Sequence, residues 1–201
     1  MCRFLLSLCL GLALISPVRS ADQAGRFAVK GVGVQRCAQF MAAWEAKEKT
    51  LYAYGGWVEG FLSADNRYRK DTFDSAGWRN TNVLLALLAH HCKGHPDQPF
   101  VTAVRAMIQA MAPTRIEAET PLIEVRAKGK ATLIYRETLL RLQRALKERG
   151  LYRGRIDGRF GKGTSKALEA YQKRAGIPVT GLPDQFTLMR LLSTPESGGK
   201  H

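Results

Sequence analysis

Between Tyr152 and Phe160 the chain places Arg153, Arg155 and Arg159. A guanidinium presents a planar fork of N–H donors that meets a carboxylate through two charge-assisted hydrogen bonds. Tyr152 and Phe160 add ring faces on which a sugar or peptide can stack. These five residues are candidates to contact a carboxylate-bearing ligand; the competing expectation packs Phe160 in a core and leaves the arginines solvating a loop. A second set, Glu45, Glu48, Glu59 and Asp65, offers carboxylates of the kind that work in pairs on glycosidic bonds. Helix surfaces carry such acids routinely, so this set alone assigns nothing. His90-His91-Cys92 and His95 have metal-ligand chemistry, yet no second cluster with matching spacing accompanies them. Neither a metal nor a cofactor is expected.

Other reactive patterns are missing. There is no Gly-x-Ser-x-Gly elbow and no His-Glu-x2-His helix. Gly161-Lys162-Gly163-Thr164 departs from the order of a phosphate loop, and Gly31-Val32-Gly33 is only a fragment of a dinucleotide fingerprint.

The amino terminus reads as a secretory signal over residues 1–21. Arg3 precedes an apolar run from Phe4 to Ile15, Pro17 breaks it, and Ser20-Ala21 offers small residues for cleavage. The run is too short to span a bilayer, so no stable membrane insertion is expected. Cys9 follows Leu8 where a lipid anchor wants a small residue. Cleavage leaves Cys37 and Cys92, which most economically form one disulfide. Closing a loop of that length stabilises a fold by about 4 kcal/mol in the chain-entropy model.

The formal net charge is +14, unevenly spread. Residues 22–112 hold 11 basic and 8 acidic side chains, whereas residues 135–201 hold 14 and 6. A basic surface on an exported protein points to an anionic partner. Export argues against nucleic acid.

The elements follow from periodicity. Val34 to Lys49 and Leu51 to Ala64 have helical spacing, with a kink or break expected at Gly55-Gly56. Trp44, Tyr52, Tyr54, Trp57 and Phe61 offer a partner-binding surface or core packing, and core packing is the expectation because a domain this small needs large side chains inside. Asn66 to Asn80 reads as loop, and Asn80 or Thr81 caps a helix that ends near Lys93-Gly94. Pro96 and Pro99 open another, with Phe100, Ala103, Val104, Met107, Ile108 and Met111 on its apolar face. Residues 22–112 thus form a disulfide-linked helical unit. Residues 113–132 read as an extended linker in which Leu122-Ile123-Glu124-Val125 allows a short strand. Residues 133–195 form a second unit and 196–201 a disordered tail. The expected class is all-α.

In the second unit Leu139, Leu142 and Leu146 make one helical stripe, ended by Gly150 as a left-handed cap. Asp157-Gly158 is a turn, after which Thr164 caps a helix carrying Ala167, Leu168 and Tyr171. Asp157-Gly158, Gly161 and Thr164 recur 23 residues later as Thr180-Gly181, Asp184 and Thr187, and each set follows a hydrophobe-Gln pair, Leu142-Gln143 or Tyr171-Gln172.

These residues resemble the three-helix peptidoglycan-binding domain often fused to wall hydrolases. The resemblance rests on Leu-Gln-x2-Leu at 142–146, Gly150, Asp-Gly-x2-Gly-x2-Thr at 157–164, Tyr-Gln at 171–172 and Gly176-Ile177-Pro178. It implies binding of wall glycopeptide rather than its cleavage, with Leu142, Gln143, Asp157, Gly158, Gly161, Thr164, Tyr171 and Gln172 as structural residues. Residues 22–112 loosely resemble the Rap1a/Tai-like periplasmic immunity proteins, through Cys37, Trp57-Val58-Glu59-Gly60-Phe61-Leu62-Ser63-Ala64, Cys92, Pro96, Phe100 and Ala103-Val104. The expectation is an exported, non-enzymatic envelope or periplasmic protein that binds peptidoglycan at its carboxyl end and a protein partner, a wall-acting enzyme or effector, at the other. The alternatives are a small muralytic enzyme with its active site in residues 22–112, and a periplasmic stress or chaperone-like protein.

Overall fold

A computed structural model describes residues 21, 22 and 24–192. Apart from Ala21, the expected signal segment lies outside the described residues, and so does the expected tail. The described residues form seven α-helices and one two-stranded antiparallel sheet. The all-α expectation is therefore corrected to a mostly helical fold with a small sheet.

The first four helices are α1 (Cys37–Ala46), α2 (Leu51–Tyr68), α3 (Thr81–Lys93) and α4 (Phe100–Met111). α1 ends where Lys47 turns left-handed, with φ 52°. α2 runs unbroken through Gly55-Gly56, against the expected kink. A Cβ on Gly55 would stand 3.1 Å from Thr81 Cγ2, so this glycine serves close approach of α2 to α3 rather than a bend. Asn80 caps α3, its side chain accepting from the Val83 amide at 3.1 Å.

Phe40, Tyr54 and Phe100 centre the first core, with Tyr54 edge-on to Phe100 at 4.9 Å between centroids. The buried Cys37–Cys92 disulfide ties α1 to α3. Trp44, Trp57 and Phe61 pack partly against this core, but Tyr52 is 83 % exposed and does not join it.

The segment expected as an extended linker holds a hairpin, β1 (Leu122–Ala127) and β2 (Lys130–Tyr135). Lys128 and Gly129 both have positive φ, the geometry of a two-residue turn that matches strand twist. Val125 and Ile134 point from it into a second core with Leu139, Leu142, Leu146, Leu168, Leu188 and Leu191. These come from α5 (Arg136–Glu148), α6 (Lys162–Arg174) and α7 (Gln185–Leu192).

Trp78, from the loop before α3, is buried in this second core. Gln185 grips the same loop, donating to the Trp78 carbonyl at 2.8 Å and accepting from the Asn80 amide at 3.1 Å. Arg141, paired with Glu137 at 3.1 Å, donates to the carbonyls of Thr114 and Arg115. The two halves are thus docked by an inserted ring and two polar clasps. Among the described residues no helix is long and apolar enough to cross a membrane.

Candidate functional site

Residues 136–192 are organised by two buried glutamines. Gln143 Oε1 accepts from the amides of Asp157 and Gly158 at 3.0 and 2.9 Å, while its Nε2 donates to the Arg159 carbonyl at 2.9 Å. Gln172 repeats the device on the second turn: Oε1 accepts from the Gly181 amide at 2.9 Å, and Nε2 donates to the Leu182 carbonyl at 3.0 Å and the Thr187 hydroxyl at 2.9 Å. Gly158 and Gly181 have nearly equal φ, 67° and 68°, so the turns agree despite their different side chains. A Cβ on Gly158 would meet Arg136 Cγ at 2.7 Å, which adds a steric reason for glycine. Gly150 and Gly176 end α5 and α6 in the left-handed form, with Leu151 and Ile177 amides reaching back to the carbonyls of Leu146 and Gln172.

Thr164 does not cap α6 as expected. The helix starts at Lys162 after Gly161, which has no side chain to cap it, and Thr164 lies buried as its third residue, facing Gln143 Nε2 at 3.3 Å. In the second copy Asp184 supplies the missing cap, accepting from the Thr187 amide at 2.8 Å and from the Thr180 hydroxyl at 2.6 Å. Asp184→Ala is expected to lower stability by about 1 kcal/mol in denaturant unfolding, whereas Gly161→Ala, with no cap to lose, should change it by less.

The loop from Leu151 to Gly161 carries the candidate ligand contacts. Arg153, Arg155 and Arg159 are exposed, and Tyr152 and Phe160 are half-buried against the second core. The Tyr152 hydroxyl donates to the Arg155 carbonyl at 2.9 Å, and its ring lies over Gly154, where a Cβ would clash at 2.5 Å. Asp157 accepts from the Arg159 amide at 2.9 Å, and that bond holds its carboxyl below the usual carboxylate range. Leu142 is buried in the core, and Tyr171 is half-buried, its phenol pushed up by burial.

The four candidate carboxylates separate. Asp65 is held by the Arg69 guanidinium at 2.7 and 2.9 Å and by the Ser75 hydroxyl at 2.9 Å. Glu48 accepts from the Thr50 hydroxyl at 3.0 Å, and Glu45 is exposed on α1. Glu59 accepts from the Thr81 hydroxyl at the edge of a groove of about 420 Å³, which Asp74, Arg79 and Tyr135 also line. Burial, then the neighbouring Asp74 charge, pushes the Tyr135 phenol up; burial lowers Arg79. This group escaped the sequence reading because Tyr135 reaches Asp74 and Arg79 only when the hairpin folds back on the loop before α3.

The histidine cluster is locally satisfied. Cys92 is in the disulfide, His91 and His95 stack at 4.4 Å, and His91 Nε2 lies 2.6 Å from Gln98 Oε1. Among the described residues no three His, Cys, Asp or Glu side chains converge.

Residues 136–191 match the family described as "Putative peptidoglycan binding domain". Among known proteins, a spore cortex-lytic enzyme of Bacillus cereus is 43 % identical over 56 residues, covering 28 % of this chain and 22 % of that protein. The N-acetylmuramoyl-L-alanine amidase CwlM of Mycobacterium tuberculosis is 35 % identical over 68 residues, covering 33 % and 17 %. A solved structure, SltB3 of Pseudomonas aeruginosa in complex with NAG-anhNAM-pentapeptide, is 26 % identical with a TM-score of 0.28, covering 52 % of this chain and 26 % of that one. The chain spans about a fifth of the length of the curated relatives it matches. Those relatives are named as wall-lytic enzymes, which overturns the expectation of a non-enzymatic protein. Residues 136–191, with their two glutamine-held turns, are a peptidoglycan-binding domain of the matched family.

Proposed function

We propose that this protein is an exported muralytic enzyme of the bacterial cell envelope, in which residues 133–195 hold peptidoglycan and residues 22–112 carry the cleaving centre. The observation that carries this reading is the binding domain at 136–191, together with relatives named for lysis of the wall. Arg153, Arg155, Arg159, Tyr152 and Phe160 are the proposed wall contacts. The groove bearing Glu59 is the proposed cleavage site, because Asp65 is ion-paired with Arg69 and bonded to Ser75, whereas Glu59 accepts only from the Thr81 hydroxyl among the bonds described and lines an open groove with Asp74 and Tyr135.

The mature chain should co-sediment with insoluble sacculi and release soluble muropeptides from them. Glu59→Gln should reduce that release at least about 100-fold without changing sedimentation, as loss of a general acid or base does. Absence of release by the wild-type chain would overturn the enzymatic reading. Absence of sedimentation would overturn the wall-binding one.

A further inference from the structure

We propose that the wall-binding module selects peptidoglycan by its free carboxylates, so that stem peptides ending in carboxylate are held in preference to amidated ones. This rests on the reading of residues 133–195 as the wall-binding unit and names the chemistry that the unit prefers.

Residues 136–191 contain 13 basic and 5 acidic side chains. Three of the five acids are engaged away from the cations of the 151–166 segment, and a fourth is turned onto amide donors. Glu137 pairs with Arg141 at 3.1 Å, and Glu169 with Lys128 at 2.9 Å. Asp184 caps α7, and Asp157 is turned onto the Arg159 amide and Gln143. Arg153, Arg155, Arg159, Lys162 and Lys166 are all exposed, and none forms an ion pair with a described residue. Arg159 alone has a carboxylate nearby, that of Asp157.

The fold brings the segments that carry these cations together. Tyr152 lies across Gly154, between Arg153 and Arg155, and its ring also comes within 3.8 Å of where a Cβ on Gly163 would stand, next to Lys162. Lys162 and Lys166 are four residues apart on α6 and share one side of it. The half-buried tyrosine therefore joins the arginine loop to the first turns of α6. Its hydroxyl is spent on the Arg155 carbonyl, which leaves polar recognition to the surrounding cations. A cluster of like charges without internal partners lowers its free energy by drawing anions to it. Guanidinium forks match carboxylates bidentately and gain much less from a neutral amide, which offers one oxygen and two competing donors.

The test uses the mature full-length chain and three preparations of sacculi: untreated, with carboxyls converted to amides by carbodiimide and ammonia, and with amines acetylated as a control. The chain should bind untreated and acetylated sacculi alike and amidated sacculi about tenfold more weakly, a ratio within reach of several exposed charge pairs acting together. The triple variant Arg153→Gln, Arg155→Gln, Arg159→Gln should bind untreated sacculi about as weakly as the wild type binds amidated ones. Its circular dichroism should be unchanged, since the substituted side chains are exposed. Equal wild-type binding to untreated and amidated sacculi would overturn carboxylate selection while leaving wall binding intact. Binding to none of the three preparations would overturn both.

Discussion

Replacing Gln143 by leucine should lower the unfolding free energy by about 4 kcal/mol, the sum of leaving several buried polar groups without partners. The side chain is fully buried and holds the Asp157 and Gly158 amides and the Arg159 carbonyl at 2.9–3.0 Å. Leucine fills the space but returns none of these bonds. Two amides and one carbonyl would then face an apolar wall or draw water into a site built without room for it. Gln172→Leu should be comparably severe, because its amide holds Gly181, Leu182 and Thr187 in the same way. Urea unfolding followed by circular dichroism measures both. A loss below about 1 kcal/mol for Gln143→Leu would show that the turn is held by its own backbone preferences instead.

Trp78→Ala should be of similar size, about 4 kcal/mol, for a different reason. The indole belongs by sequence to the loop ahead of α3 but packs with the second core. Truncation leaves a cavity between the halves and loosens the loop that Gln185 grips at Trp78 and Asn80. The wild-type chain should melt in one transition because a ring from the loop ahead of α3 is packed inside the second core. The variant should melt in two, resolved by calorimetry, with the disulfide-linked half and the module separating. A single transition with an unchanged midpoint would mean that Arg141 and its carbonyl partners are sufficient to couple the halves.

Legibility in the sequence tracked the range of the interactions. The helices of the binding domain were readable because their ends are marked locally, by Gly150, Asp157-Gly158 and Gly176, each acting within a few residues. The Asn80 cap and the apolar face of α4 were readable for the same reason. Gly55-Gly56 misled because propensity treats glycine as a breaker, whereas here the missing side chain admits Thr81 from a neighbouring helix. The hairpin was only half visible. Leu122 to Val125 suggested a strand, but its partner's value lies in placing Ile134 against a core formed by later helices. Thr164 looked like a cap because a threonine following the Asp157-Gly158 turn is a capping residue type, and its bond from the buried amide of Gln143 goes with its place inside the helix. Of the proposed contact loop, the exposure of the arginines agrees with their chemistry. The use of the Tyr152 hydroxyl within the loop had no sequence signal. Nor did the junction made by Trp78, Gln185 and Arg141, whose partners lie 26 to 107 residues away.

The way Gln143 holds its turn has an evolutionary consequence. It bonds the Asp157 and Gly158 amides and the Arg159 carbonyl, groups present whatever residues flank the turn. The outward side chains at 153, 155 and 159 contribute little to that grip, so they are free to drift without undoing the socket that supports them. Under the proposed role of those side chains as wall contacts, one scaffold can be retuned to walls of different chemistry by a few surface substitutions without touching the amide beneath.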